Sequence, residues 1–145
     1  MADATYQPKV FRKQGGDELV VAAGGKLTQE GGGAVVRPVR IVTANVSLTA
    51  AESGLILICD AADLVITLPA TVAGLIFTVV CAAVSAGTGL SLSPAAADKI
   101  NEGTANKDLI NSGATDVLGD SVTLVSDGVT GWYTINKIGT WAAEG

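Results

Sequence analysis

Residues 55–84 read LILICDAADLVITLPATVAGLIFTVVCAAV, three apolar runs separated by turn formers. The first, Leu55 to Cys59, is unbroken between Ser53-Gly54 and Asp60, which predicts a short strand buried on both faces. The second, Leu64 to Leu68, stops at Pro69, a residue with no N–H to give to a ladder. Leu75 to Val84, interrupted by Thr78, is the longest strand candidate, and Phe77, Val79 and Val80 argue against a helix there. Toward the N-terminus, Val35 to Val36, Val39 to Thr43 and Val46 to Leu48 are β-branched, and Pro38 is confined to a strand edge or a bend. The pattern leaves open whether residues 34–48 belong to the same body or are exchanged with a neighbouring copy.

Toward the C-terminus, Leu90 and Leu92 alternate with Ser91 and Ser93 and end at Pro94, a half-buried strand pattern. Ala95 to Gly119 is polar and Asn-rich; it reads as a long surface connection with one or two short strands, and Ala95 to Ile100 has room for one helical turn. Ser121 to Ser126 and Trp132 to Ile138 flank Asp127-Gly128-Val129-Thr130-Gly131 as a hairpin. Roughly eight to ten short strands without an amphipathic helix is the range of a sandwich or jelly roll. The expectation is an all-β, jelly-roll-like β-sandwich over residues 18–145, preceded by an extended arm over residues 1–17.

The arm contains Pro8 and Gly15-Gly16, with Tyr6, Val10 and Phe11 as isolated apolar anchors. It cannot bury enough apolar area to order itself, but it can become ordered by lying along a partner. Glu18 to Ala22 and Lys26 to Gln29 read as short strands separated by Gly24-Gly25 and followed by Gly31-Gly32-Gly33. Six basic residues (Lys9, Arg12, Lys13, Lys26, Arg37, Arg40) face four acids in the first forty positions, a net charge of +2. The remainder holds three lysines against ten acids, a net charge of −7. A basic arm on an acidic body favours docking onto an acidic protein surface and disfavours nucleic acid, whose phosphates the body would repel.

A chain of 145 residues buries roughly two-thirds of its unfolded surface, so its core needs neither disulfide nor metal. Cys59 and Cys81 lie within apolar runs and read as buried reduced thiols in neighbouring strands, their pairing left open. The opening Met-Ala-Asp-Ala-Thr-Tyr-Gln-Pro has no apolar signal-peptide core, and the longest apolar run is too short for a bilayer, so cytoplasmic synthesis without membrane attachment is expected.

Histidine is absent, which removes Ser-His-Asp and Cys-His nucleophile activation together with the commonest metal ligand. The carboxylate pairs Asp60 with Asp63, Asp98 with Glu102, and Asp116 with Asp120 sit in turns, where Asp caps its own backbone, and none has calcium-loop spacing. Gly24-Gly25-Lys26-Leu27-Thr28 fails as a phosphate loop, because Val20 stands at the first glycine position and Leu27 at that of the magnesium-binding hydroxyl. The expectation is a protein with no catalytic residues, no metal and no cofactor. Trp132, Tyr133 and Trp141 read as core or oligomer anchors, with a sugar-stacking platform as the competing use.

Two stretches resemble proteins of tailed-bacteriophage structural gene clusters. Residues 6–22, from Tyr6-Gln7-Pro8-Lys9-Val10-Phe11-Arg12-Lys13 through Val20-Val21-Ala22 and on to Gly24-Gly25-Lys26-Leu27-Thr28, look like the opening of small capsid-associated proteins. Leu64 to Pro69, Gly74 to Thr78, Gly119 to Gly128, Trp132-Tyr133 and Gly139-Thr140-Trp141 are similar to β-sandwich modules of phage decoration proteins and of tail appendages. The resemblance covers about half the chain. It implies a capsid decoration (cement) protein with a jelly-roll body that forms homodimers or homotrimers and sits on the outer capsid surface of the virion. Its partner would be the major capsid protein, engaged through Tyr6, Lys9, Val10, Phe11, Arg12 and Lys13. A receptor- or carbohydrate-binding tail appendage is the alternative that the same resemblance implies.

Overall fold

Leu57, Cys59, Phe77, Val79 and Cys81 turn inward and are almost wholly removed from water, while Ile56, Ile58, Ile76, Thr78 and Val80 turn outward. This is the period-two alternation of a strand, and the two parities set the architecture. The computed structural model describes residues 10–16, 18–22, 36–101 and 103–145. The chain divides into two compact units, Met1–Val36 and Arg37–Gly145.

In the first unit the described residues form a hairpin of β1 (Val10–Arg12) and β2 (Leu19–Val21). The second holds, in chain order, β3 (Val39–Val42), β4 (Val46–Ser47), β5 (Ile56–Cys59), β6 (Val65–Thr67), β7 (Ile76–Cys81) and β8 (Leu90–Ser93). There follow β9 (Lys99–Ile100), β10 (Leu109–Asn111), β11 (Ser121–Ser126), β12 (Gly131–Ile138) and β13 (Trp141–Ala143). The one helical element among the described residues is a 3-10 turn at Ala50–Glu52.

From β3 to β8 the chain lays strands alternately in two sheets. β3, β5 and β7 pair in parallel in one, and β4, β6 and β8 pair in parallel in the other. The chain then reverses: β10 and β13 extend the second sheet antiparallel past β8, while β11 and β12 extend the first past β7 and β9 closes it. The result is a six-stranded sheet, β3-β5-β7-β11-β12-β9, and a five-stranded sheet, β13-β10-β8-β6-β4. Their inward rows form a single core that includes Leu57, Ile66, Phe77, Leu92, Leu124 and Trp132. Each such side chain, fully buried, contributes roughly 2 kcal/mol.

At the corners, side chains stand in for the ladder. Val65 N–H donates to Asn45 Oδ1 (2.9 Å), Ile76 N–H to Ser53 Oγ (3.1 Å) and Asp63 N–H to Ser85 Oγ (2.9 Å), so each turn of the coil is tied to another. Gly89, at positive φ where β8 begins, has no room for a side chain, because a Cβ would strike the Asn111 carbonyl. Arg40, in register with Leu57, Val79, Val122 and Lys137, places a charge at the open end of an inward row. Its Nη1 lies 3.0 Å from Glu52 Oε1, and Glu52 also accepts from Thr49 N–H and Oγ1. The Thr49 hydrogen bonds, with Arg40 after them, hold the Glu52 carboxyl below its usual range. An inward charge on an edge strand blocks the addition of a further strand.

The all-β sandwich expected from the strand pattern is present. Its connectivity is a parallel coil capped by antiparallel strands, whereas a jelly roll is built from antiparallel Greek keys. Leu55 to Cys59 is expected to be buried on both faces; in the structure Leu57 and Cys59 are buried on the inner face, while Ile56 and Ile58 on the outer face are half-buried. Among the described residues the longest strand is β12, and β7 ends at Cys81 rather than Val84. Ala95 to Ile100 forms a turn and the short β9 instead of a helical turn. Residues 39–48 pair with β5 and β6 of their own chain. The strand expected at Lys26 to Gln29 and the glycine-rich turns beside it lie outside the described residues.

Candidate interaction surfaces

Of the six arm residues singled out from the sequence, Tyr6 and Lys9 lie outside the described residues. Val10, Phe11 and Arg12 form β1, where Val10 faces Val21, Phe11 faces Val20 and Arg12 faces Leu19. Lys13 follows, its Nζ 2.9 Å from Glu18 Oε2, and Lys13 N–H donates to Glu18 O across the turn. The expected boundary between residues 17 and 18 thus falls inside a hairpin. Val10, Phe11, Leu19 and Val21 are all exposed. A two-stranded hairpin of this size is marginal in water on its own, so contact with a further surface would stabilise it.

The three C-terminal aromatics separate. Trp132 and Trp141 point into the core, with Trp132 packed against Phe77, the rings tilted by 44° at a centroid distance of 5.7 Å, and Trp141 Nε1 donating to Ile138 O. Tyr133, one residue on from Trp132, turns outward and is half-exposed.

Tyr133 belongs to a surface that the sequence reading missed, the outer face of the six-stranded sheet. Its rows follow from the register. One is Ile41, Ile58, Val80, Ser121 and Ile138; the next is Val39, Ile56, Thr78, Thr123 and Asn136; a third is Ile76, Val125 and Tyr133. These rows contain no charged residue. Ile41 is 65% exposed, Val39 56% and Ile138 55%. A β-bulge at Ile135 shifts the register of β12 and leaves that side chain exposed as well. The sequence did carry a signal for this face: β5 and β7 are apolar at both parities, which a strand with one wet face does not require.

Asp63, Asp98, Asp116, Asp120 and Asp127 are engaged with backbone and side-chain donors. Asp63 Oδ1 accepts from Gly89 N–H (2.8 Å), Asp98 Oδ2 from Thr71 N–H (3.1 Å) and Asp116 Oδ2 from Ser85 N–H (2.7 Å). Asp120 Oδ2 accepts from Asn111 Nδ2 and from Val117 N–H, and Asn111 Nδ2 also donates to Thr140 O. Asn111 is a fully buried polar side chain that ties the cap strands together. Asp127 gathers Thr130 Oγ1 and the N–H groups of Gly131, Val129 and Thr130, and these bonds hold its carboxyl well below the usual carboxylate range. Cys59 and Cys81 are free thiols on adjacent positions of β5 and β7. Burial, with Cys81 alongside, pushes the Cys59 thiol up to about 12.

No protein-family model matches the chain, and no curated protein matches it.

Proposed function

We propose that this chain is a bacteriophage capsid decoration protein, a non-enzymatic cement that binds the major capsid protein at the outer surface of the head. The observation that carries the reading is the hairpin over residues 10–21. It exposes Val10, Phe11, Leu19 and Val21 beside Arg12, in a chain whose remaining residues are acidic. Its two bases, Arg12 and Lys13, are matched by Asp17 and Glu18, so the ribbon is apolar without net charge and suits an apolar groove or a free sheet edge on a partner, where backbone pairing and side-chain pockets act together. Modest binding per copy is sufficient, because a closed lattice repeats the contact and each copy holds subunits that others also hold.

The tail-appendage reading needs an aromatic platform. Trp132 and Trp141 face the core, which leaves Tyr133 alone on the surface among the three aromatics it would use.

The test is occupancy of isolated heads by the full-length chain and by the double variant Phe11→Asp, Arg12→Glu. The expected result is at least a tenfold loss of bound copies with the melting transition of the body unchanged. Equal occupancy by the variant would remove the role assigned to the hairpin. Heads purified from the virus that encodes the chain, yet free of it, would remove the capsid assignment altogether.

A further inference from the structure

The outer face of the six-stranded sheet is more apolar than a solvent boundary requires. Nine of its outward positions are Ile41, Ile58, Val80, Ile138, Val39, Ile56, Ile76, Val125 and Tyr133, and the rest of its three rows are Ser, Thr and Asn. Parallel strands are ordinarily covered on both faces, and monomeric proteins rarely expose a contiguous apolar patch of more than a few hundred Å². β3, β5 and β7 are parallel, yet the described residues of their own unit, 37–145, cover one side of them.

We infer that a second copy of this chain covers that face, sheet against sheet across a two-fold axis. The inference deepens the self-association implied above and rests on that part of the reading, not on capsid binding. Three properties select this occupant. The three rows across β3, β5, β7, β11 and β12 carry no charge, with Lys99 set apart on the edge strand β9, so the surface that covers them is itself uncharged and apolar. The rows are built of β-branched residues at regular spacing, the relief that two sheets interdigitate when they pack at about 30°. The size is also sufficient. Five strands at a spacing of about 4.8 Å, each contributing about five residues of about 3.3 Å, make a face about 24 Å by about 16 Å. With side-chain relief this is on the order of 500 Å² per copy, so the pair buries about 1,000 Å², the lower bound for a specific interface.

In a two-fold dimer a face residue meets the partner's face, and each substitution is counted twice. Ile41 is largely exposed in the single chain, so Ile41→Glu is tolerated by the fold and places two carboxylates in the interface. Ser47→Glu, exposed on the edge strand β4 of the other sheet, is the matched control.

The experiment is sedimentation equilibrium of the full chain and both variants, with far-UV circular dichroism to verify folding. Expected are a dimer for the parent, association weakened at least a hundredfold by Ile41→Glu, and no change with Ser47→Glu. Where Ile41→Glu folds poorly, Tyr133→Lys reads the same interface from β12. A monomeric parent overturns the inference, whether its face is open or covered by residues 1–36, and so does a trimer, because a flat face cannot meet its own copy across a three-fold axis. A dimer indifferent to Ile41→Glu and Tyr133→Lys does the same. Head occupancy separates this outcome from the functional reading: a monomer that still loads onto heads refutes only the dimer, and a dimer that does not load refutes only the capsid assignment.

Discussion

One winding chain makes two outer faces of different kinds. On the six-stranded sheet the outward positions of β3, β5 and β7 are Val39, Ile41, Ile56, Ile58, Ile76, Thr78 and Val80. On the five-stranded sheet the outer rows are Ser47, Thr67 and Ser93, then Val65, Ser91, Ile110 and Ala142. The inward rows of both are Leu, Ile, Val and Phe with a few exceptions, so the core does not tell the two sheets apart. What differs is every second residue. Four of the seven outer positions of the five-stranded sheet are Ser or Thr, with Ser91 buried among them, while six of the seven on β3, β5 and β7 are Ile or Val, the composition of a face that meets another apolar layer.

The largest effects on stability should come from the shared inner rows. Trp132→Ala removes the partner of Phe77 and should cost about 3–5 kcal/mol in urea unfolding, whereas Ile41→Ala, measured under conditions where the chain is monomeric, should cost under about 1 kcal/mol. Comparable losses at the two positions would mean that Ile41 is already packed in the single chain, and the contrast between faces would fail.

A smaller effect sharpens the inner side of the comparison. The Cys59 thiol stays protonated up to about 12 in the folded chain and ionises near 9 when unfolded. Its folded value is raised, so its contribution is complete below pH 9 and declines as pH rises toward 12. Between pH 8 and pH 11 the parent should therefore lose about 2–3 kcal/mol more than Cys59→Ala does. Parallel pH profiles would place water at the inner row.

The individual strands were legible in the sequence because their stops are chemical. Pro69 ends β6, Pro94 follows β8, and Asp127 folds the β11–β12 turn by accepting three backbone N–H groups. Trp132 and Trp141 were legible as anchors for the same reason, being large side chains on short strands. The winding was not legible. Val39 faces Ile56 and Ile56 faces Thr78, offsets of 17 and 22 residues, while Val46 faces Ile66 and Val65 faces Ser91, offsets of 20 and 26. Turns of unequal length leave no repeat in the sequence, and Greek-key pairing of the same strands has an equal local signature. Asn111 escaped notice because its partners, Asp120 and Thr140, are joined to it only by the closed cap. Leu55 to Cys59 was read as doubly buried from its composition. That reading fails for one chain and is restored if the inferred dimer forms.

Thiol labelling of two single-cysteine additions tests the difference between the faces most directly. Ile41→Cys and Ser47→Cys sit on consecutive strands of the same turn, both exposed in the single chain, one on each outer face. The buried Cys59 and Cys81 contribute little background. A two-sheet contact between copies predicts slow labelling at position 41 that accelerates on dilution, with fast labelling at position 47 at every concentration. Equal rates at the two positions, unchanged by dilution, would contradict it.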